Sequence, residues 1–451
     1  MRRLTLLMLV CAPTLDYVAG GDKFGRGGWL PGKAGFALEL FGALALLYVL
    51  FAGARSRFQM VRPAYWLVFG ALAGTAICGI LAAGTEPGPV FAGLRSYLRA
   101  LPWFFVPAVF LFSERDVRLQ LKLLLAVCLI QTPMAVWQRL RSVDADLQTG
   151  DWTTGTMQIS SILSIFLICA ACVLAALAIR KQIGWLRFGV LVVLILTPTT
   201  INETKGSLLL LPIGLLMAYL VAARRGQRLK QTFIAVWVLV GFGAVFVPVY
   251  DYFQQQQKYP RPIGEFVTQE GRLENYLWHD QGLGTRENPG RGDSIVVPLE
   301  YLSREPSTLV FGLGLGNASR SGLGDDFKGR YADLFERFLS TAFSRIVLEL
   351  GVLGLAFLML LLWLIFTDAR YVAARATGIK GSLAAGWAGV TLVMVTSVFY
   401  KDITVHAALS FPFWYFSGLV AAERMRLTVG REAVDNRTAA VALRSSASAT
   451  G

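Results

Sequence analysis

Stretches of about 20 consecutive apolar residues recur along most of this 451-residue chain, and they restrict its fold more than any other feature. A helix of that length crosses about 30 Å of hydrocarbon, the thickness of a bilayer core. Hydrophobic residues make up 55% of the sequence and charged residues only 16%, a balance that a water-soluble domain could not keep off its surface. Because backbone amides in lipid need partners within their own segment, the sequence predicts an all-α integral membrane protein.

The apolar segments predict twelve transmembrane helices. They cover residues 3–19, 35–54, 64–83, 93–112, 120–138, 158–179, 185–202, 206–223, 231–250, 341–366, 383–400 and 404–421. The first segment follows Met1-Arg2-Arg3, so a signal peptide is the alternative for it. We expect an uncleaved span, because only with this segment counted do the charges of the later loops alternate consistently.

Every second loop between the predicted spans is basic, beginning with the loop at 55–62. By the positive-inside rule these loops and both termini lie in the cytoplasm. The exception is the first outer loop, which carries Lys23, Arg26 and Lys33. Topology therefore accounts for most of the net charge of +14, and we expect no nucleic-acid partner.

The predicted organisation is spans one to nine over 1–250, a long loop over 251–340, spans ten to twelve over 341–426 and a tail over 427–451. The loop has a glutamine run, many glycines and mixed charges, and we expect it to be structured and periplasmic. Apolar residues at i, i+3, i+4 and i+7 from Tyr331 to Phe338 predict an interfacial amphipathic helix near 327–338. The tail lacks an apolar period, which predicts disorder in the cytoplasm.

Charged residues at the outer ends of spans are candidates for a site, because a charge near a helix centre costs about 2.5–3.5 kcal/mol unless it has a partner or a wet cavity. They are Arg95, Arg99, Glu203, Lys205, Arg345, Lys401, Asp402 and His406. A basic vestibule at this level would suit the pyrophosphate of a lipid-linked substrate. The alternative is that each charge reaches the interface alone or pairs with a neighbour. Outward-facing turns should be poor in lysine and arginine, which favours the site.

Three further patterns have weak functional implications. The segment Phe311–Asn317 alternates glycine with apolar residues, and we expect a close backbone approach in a loop rather than a nucleotide site. His279 beside Asp280 is a candidate base, although a lone loop histidine is usually ordinary surface. The five cysteines all fall in apolar runs and are predicted to be small packing residues, and no metal or cofactor is expected.

Several short blocks occur in a characteristic order. They are Gly93–Arg99, Gln131–Gln138, Gly150–Thr156, Glu203–Ser207, Phe311–Gly314 and Ser344–Leu355. This order, over most of the chain, resembles the O-antigen ligase and polysaccharide polymerase superfamily of bacterial envelope enzymes. The resemblance implies a metal-independent glycosyltransferase of the bacterial inner membrane that acts on undecaprenyl-pyrophosphate-linked sugars at the periplasmic face.

The reaction that the resemblance implies needs cations to stabilise the departing pyrophosphate and a base near the incoming hydroxyl, and the charged residues are assigned on that requirement. The implied catalytic residues are Arg291, Lys205, Arg345 and Glu203, and the implied pyrophosphate-binding residues are Arg95, Arg99 and His406. Arg291 resembles the loop arginine of the family, and Lys205 stands where the family usually has arginine. The histidine of the family's ligases aligns with Ser340, which argues against ligase activity. The general base stays open among Glu203, Asp293, Glu270, His279 and His406.

We therefore expect a polymerase that joins lipid-linked repeat units of an exopolysaccharide, capsule or O-antigen. One alternative is a ligase that transfers finished glycan to an acceptor. Another is a transporter or flippase for lipid-linked sugars, since twelve spans are common in transporters, but the chain shows no two similar halves. The expected partners are the lipid-linked oligosaccharide and membrane lipid, and a chain-length regulator is a candidate protein partner.

Overall fold

The computed structural model describes residues 1–22, 24, 26–55, 61–144, 150–223, 228–255, 262–264, 279–280, 288–321 and 323–449. Its first ten helices are α1 (Arg2–Gly20), α2 (Ala37–Arg55), α3 (Pro63–Ala83), α4 (Pro87–Leu98), α5 (Pro102–Val109), α6 (Glu114–Asp144), α7 (Ser160–Ile179), α8 (Trp185–Ile201), α9 (Ser207–Ala222) and α10 (Arg228–Gln255). The later ones are α11 (Asp293–Leu302), α12 (Pro306–Phe311), α13 (Ala332–Phe335), α14 (Ala342–Arg375), α15 (Gly378–Val398) and α16 (Ala407–Ala449). Two short strands, β1 (His279–Asp280) and β2 (Asn288–Pro289), pair antiparallel in the long loop.

Seven helices of the described chain are long and apolar enough to cross a membrane. They are Arg2–Gly20, Lys33–Arg55, Pro63–Ala83, Glu114–Ser142, Ser160–Ile179, Ala342–Arg375 and Gly378–Val398. The helices α8 and α9 are apolar but shorter. The predicted class, an all-α protein with several helices fit to span a membrane, is therefore confirmed, and the count of twelve stays a prediction.

The fourth predicted span, 93–112, consists of two short helices, α4 and α5. The chain turns between them at Arg99–Leu101, and Pro102 opens the second helix. A proline at that place has no amide to donate to the preceding turn, which favours its position at the start of a new helix. The interruption turns Arg99 toward the loop between α15 and α16.

The centre of the bundle is formed by α7 and α15, which are 83% buried. Small residues allow close contact here: a Cβ built on Gly389 would lie 2.4 Å from the Gly214 carbonyl oxygen, and one on Gly386 would lie 2.6 Å from the Val173 Cα. Such close backbone approach replaces the hydrophobic effect as the source of helix association in lipid.

The alternating glycines of Phe311–Asn317 pack this segment against α3, α4 and α14. Gly312 and Gly351 both have positive φ, 77° and 70°, and a Cβ on Gly351 would lie 2.1 Å from the Val310 carbonyl oxygen. A Cβ on Gly316 would lie 1.9 Å from the Pro89 carbonyl oxygen of α4. The intervening leucines, Leu313 and Leu315, are 3% exposed. The expected close backbone approach is confirmed.

The amphipathic helix predicted near 327–338 is not one continuous helix. The structure has a 3-10 turn at Asp325–Phe327, the single turn α13, and a 3-10 turn at Glu336–Phe338. Phe335 is buried, and its ring lies 5.0 Å from that of Tyr301 in α11. Tyr331 and Phe335 therefore pack against Tyr301 of α11, whereas Leu334 is exposed, so the four apolar residues do not form one continuous helical face.

The tail predicted to be disordered, 427–451, differs as well. The helix α16 continues through it to Ala449, and the last two residues lie outside the described part of the chain. The physical reason lies in composition, because alanine and arginine are among the best helix formers. The low hydrophobicity of the tail predicts that it does not pack against a hydrophobic core, but it does not prevent α16 from continuing as a helix.

A buried acid ties three helices together at the opposite end from the long loop. Asp368 of α14 is 0% exposed and accepts hydrogen bonds from Arg62 and Arg424, each at 2.6 Å, and from the Tyr65 hydroxyl at 2.9 Å. An unpaired carboxylate would be costly there, so its three donors explain how it is tolerated.

We expect Gly351→Ala to lower the melting temperature of the purified protein by several degrees. Alanine at this positive φ costs about 1–2 kcal/mol, and its Cβ would also strike the Val310 carbonyl. The matched control is Gly70→Ala in α3, where a Cβ meets no atom within 4 Å and helix propensity should rise. Equal melting temperatures for the two variants would contradict the packing role of Gly351.

Candidate functional site

The loop between α15 and α16, residues 400–406, is the element on which the predicted site residues converge, and we call it the 400–406 loop. Two backbone hydrogen bonds join it to the start of α14. Asp402 N donates to the Ser340 carbonyl at 2.9 Å, and Ala342 N donates to the Lys401 carbonyl at 3.2 Å. The polar residues of α14 and of the 400–406 loop are therefore held at one level of the bundle.

A buried ion pair lies at the centre of this contact. Arg345 Nε donates to Asp402 Oδ2 at 2.6 Å, and the two side chains are only 13% and 5% exposed. The other Asp402 oxygen accepts from the Thr404 hydroxyl at 2.6 Å. Arg345 Nη1 also lies 3.9 Å from Glu349 Oε1, so two carboxylates balance this arginine.

Glu349 is 1% exposed, and part of its hydrogen-bonding capacity is not used within the described structure. Ser319 Oγ donates to Oε1 at 2.8 Å, whereas Oε2 has no partner. The Tyr97 hydroxyl and the Gly316 amide flank this carboxylate. Among the described residues the buried Tyr97 hydroxyl interacts with the Glu349 carboxylate but forms no well-aligned hydrogen bond. Buried polar atoms without partners are unusual, and they mark a place where a bound molecule could supply them.

Arg291, at the start of α11, reaches the same loop. Its guanidinium donates to the Tyr400 carbonyl and lies 4.4 Å from the centre of the Tyr400 ring. Lys401 is close enough to Arg291 that burial, together with the arginine charge, lowers the pKa of Lys401. Two neighbouring cations in a partly desolvated place favour a bound anion.

The titration of the 400–406 loop follows from its burial. Burial lowers the pKa of His406 to about 4, although Asp402 acts in the opposite direction. Lys401, Arg99 and Arg345 also face His406 and lower its pKa further. The pKa of Asp402 is lowered in spite of its burial, because Arg345 and the Thr404 hydroxyl stabilise the carboxylate. At neutral pH His406 is therefore uncharged, and it could hold a diphosphate only as a hydrogen-bond donor.

The arginines of the α4 region are joined by an acid that the sequence analysis had not singled out. Glu39 of α2 accepts from Arg95 at 2.8 Å and lies 3.7 Å from Arg99. Arg99 also donates to the Val405 carbonyl, which brings it to the 400–406 loop. The signal that could have revealed Glu39 was its place in a predicted span, where a lone carboxylate needs a partner.

Glu203 and Lys205 lie in the turn between α8 and α9. Arg139 of α6 and Gln254 of α10 each donate to one oxygen of the Glu203 carboxylate, and the Glu203 backbone has a positive φ of 59°. This turn touches the 400–406 loop, since a Cβ on Gly206 would lie 2.5 Å from the Tyr400 ring. Glu203 therefore joins α6 and α10 to the turn between α8 and α9, beside the 400–406 loop.

A cavity of about 500 Å³ lies beside the Arg345–Asp402 pair, between α3, α4, α14 and α16. Its walls are almost entirely apolar, and its polar end carries Tyr97 and Thr404. Leu98, Leu94 and Ile77 are wall residues that are 40–57% exposed, so the cavity opens toward the lipid-facing surface. It therefore leads from an exposed apolar surface of the bundle to the level of the Arg345–Asp402 pair.

The predicted site residues thus differ in how directly they contact the 400–406 loop. Arg291, Arg345, Arg99 and His406 all contact or belong to the 400–406 loop. Glu203 and Lys205 adjoin it through Gly206, and Arg95 joins Arg99 at Glu39.

Three of the candidate general bases lie in the long loop, and the structure describes the side chain of one of them, Asp293. Asp293 accepts from the Gly290 amide at 3.0 Å, which is a local turn contact. Glu270 and the His279 side chain lie outside the described residues. Their role as a base stays a prediction.

Neither a protein-family model nor a curated protein matches this chain. Within the described ranges no group of three or more histidine, cysteine, aspartate or glutamate side chains is placed to hold a metal ion. The five cysteines are free thiols, and two of them, Cys128 and Cys172, are buried in the helix bundle. The functional argument therefore rests on the geometry of the 400–406 loop and the adjacent cavity.

We expect the protein to lose stability as the pH falls from about 6.5 to 5. The folded protein binds a proton at His406 more weakly than the unfolded chain does, so acid favours unfolding by about 2 kcal/mol over this interval. Asp402 stays ionised there, because its pKa lies below the ordinary value. Melting temperatures measured from pH 5 to pH 7 should show this slope, and His406→Gln should flatten it.

The chain has only two histidines, so His279→Gln is the matched comparison. If His279→Gln flattens the slope and His406→Gln leaves it unchanged, burial of His406 is not its cause.

Proposed function

We propose that this protein is a polymerase that joins undecaprenyl-pyrophosphate-linked oligosaccharide repeat units at the periplasmic face of the bacterial inner membrane. One observation carries the proposal: an apolar cavity that is open at the surface has its polar end at Thr404, on the loop that also carries Lys401 and Asp402, the partner of Arg345. A substrate with a long polyprenyl chain and a diphosphate head requires both features in contact. The resemblance to the superfamily supports the same chemistry. The proposal includes twelve transmembrane spans with both termini in the cytoplasm.

Different residues of the site assist different steps of the transfer reaction. A hydroxyl of the acceptor unit attacks the anomeric carbon of the donor, the bond from that carbon to the diphosphate oxygen breaks, and the diphosphate leaves with the electron pair. Arg291 and Lys401 stabilise that developing charge, because they are adjacent and partly desolvated. The hydroxyl proton passes to Glu349, whose Oε2 has no partner and faces Tyr97.

The other predicted cations act around this pair. Arg99 contacts the 400–406 loop, Arg95 is joined to Arg99 through Glu39, and Lys205 lies in the turn that adjoins the loop; in the proposal these three bind the diphosphate or the sugars next to it. Arg345 binds Asp402 and so holds the 400–406 loop in place. It contributes to catalysis by positioning this loop. Glu203 positions the turn that carries Lys205.

A polymerase fits better than a ligase because of the residue at position 340. Ser340 stands where the family's ligases have a histidine, and its hydroxyl lies 2.8 Å from that of Ser294. A serine engaged with another hydroxyl has no basic nitrogen to accept the acceptor's proton. Ligase and flippase activities remain as distinct outcomes of the assay below.

The assay uses the purified full chain in liposomes with a synthetic undecaprenyl-diphosphate-linked oligosaccharide. A polymerase converts the substrate into a ladder of longer lipid-linked glycans. Arg291→Gln and Lys401→Gln should each lower the elongation rate by about 100-fold, the usual effect of removing one donor that stabilises a transition state. Arg304→Gln is the matched control, because Arg304 is an exposed arginine that follows the same helix, α11.

Other results would contradict the proposal in distinguishable ways. Transfer of one glycan to an added acceptor without a ladder would identify a ligase. An unchanged compound that crosses the bilayer would identify a flippase. A normal ladder from Arg291→Gln and Lys401→Gln would show that the diphosphate lies elsewhere. Arg345 is tested only together with Asp402, since removing one partner leaves a buried charge.

Filling the cavity tests the place of the polyprenyl chain. Ala76→Phe introduces a large side chain into the cavity wall formed by α3, and we expect it to lower elongation at least tenfold while the protein still folds. Cys78→Phe on the same helix is the control, because Cys78 is exposed and does not line the cavity. Equal loss of activity in both variants would argue against binding of the chain in this cavity.

A further inference from the structure

A second cavity, of about 370 Å³, lies between α6, α7, α8, α15 and α16. Its interior is apolar, with walls that include Cys128, Phe166, Leu174, Val390 and Phe413. It follows α15 from Ile379 to Met394, about 22 Å of helix at 1.5 Å per residue. That length exceeds half of the hydrocarbon core, about 15 Å, so the cavity could hold one acyl chain along its leaflet.

The mouth of this cavity is basic. Arg118 and Lys122 extend from the first turns of α6, and Arg187 extends from the first turn of α8. All three side chains are exposed, and none makes an ion pair or hydrogen bond with another residue that the structure describes. Among the described residues, no carboxylate lines the cavity.

Several other cations at this end of the bundle bind described acids or carbonyls, whereas the three at the mouth do not. Arg62 and Arg424 bind Asp368, Lys380 binds Glu423 at 2.8 Å, and Arg180 donates to the Ala373 carbonyl at 2.6 Å. The positive-inside rule explains why cations are frequent here, but it does not explain three unpaired cations around one apolar cavity.

We propose that this cavity binds an anionic glycerophospholipid, with its phosphate on Arg118, Lys122 and Arg187 and one acyl chain in the apolar interior. Basic pockets between transmembrane helices at the end with the basic loops are suited to such headgroups. A free phosphate would use the cations but leave the apolar interior unoccupied. A zwitterionic lipid would fill the interior but gain less from three positive charges. None of the residues of the 400–406 loop lines this cavity, and the proposal does not depend on the proposed polymerase activity.

The test measures the melting temperature of the full chain in a neutral detergent with three probes: dioctanoyl phosphatidylglycerol, dioctanoyl phosphatidylcholine and inorganic phosphate. Phosphatidylglycerol should raise the melting temperature by about 3–5 °C at saturation, because a ligand that binds only the folded protein stabilises it. The other two probes should have little effect. Native mass spectrometry should show one bound phosphatidylglycerol per chain.

Two variants separate the parts of the site. In Arg118→Gln/Lys122→Gln/Arg187→Gln the affinity for phosphatidylglycerol should fall by roughly 100-fold, since each cation near a lipid phosphate contributes about fivefold. The control triple variant, Arg3→Gln/Arg55→Gln/Arg115→Gln, removes the same charge from exposed positions outside the cavity and should keep the affinity. Ala170→Phe fills the interior and should abolish binding with all cations in place.

Each remaining result would overturn the proposal. Equal stabilisation by phosphatidylcholine would show that the cations take no part. Equal stabilisation by inorganic phosphate, retained in Ala170→Phe, would identify a plain anion site. Retained phosphatidylglycerol binding in the cavity-mouth triple variant, or its loss in the control triple variant, would place the lipid elsewhere on the protein.

Discussion

The buried pair of Arg345 and Asp402 is the interaction on which the arrangement of the candidate site depends. Neither charge could stay at this depth alone, because removing one partner of a buried pair leaves the other without compensation. The pair joins the start of α14 to the 400–406 loop, and the backbone bonds of Ser340 and Ala342 hold the same contact. Once the loop is held there, it becomes a surface against which arginines from α4 and α11 can pack.

The two ends of the bundle also differ in how completely their buried charges are paired. At one end Asp368 collects Arg62 and Arg424 into a closed cluster, in which every charge has a partner. At the other end the carboxylate of Glu349 keeps an oxygen without a partner, next to an apolar cavity. A closed cluster stabilises helix contacts, whereas a partly open one beside a lipid-accessible cavity has capacity left for a substrate.

The glycine segment Phe311–Asn317 connects these observations to the long loop. Its glycines let the backbone approach α4 and α14 so closely that no side chain would fit, and Leu313 and Leu315 fill the space between. This contact brings Ser319 to Glu349 and the Gly316 amide beside the same carboxylate. The loop is thereby part of the wall of the candidate site, and the glycines that resembled a nucleotide motif serve packing.

The sequence by itself determined that this is an all-α protein with apolar, bilayer-length helices, because hydrophobic length and the need to satisfy backbone amides are properties of each segment alone. It also predicted that charges at the ends of apolar segments, such as Arg95 and Arg345, need partners. Only the tertiary structure decided which partners these are, such as Glu39 for Arg95 and Asp402 for Arg345. Pairing depends on how helices distant in sequence pack together, and no local period or charge pattern encodes those distances. For the same reason the broken fourth span, the folded segment at 327–338 and both lipid-facing cavities became evident only in the assembled bundle.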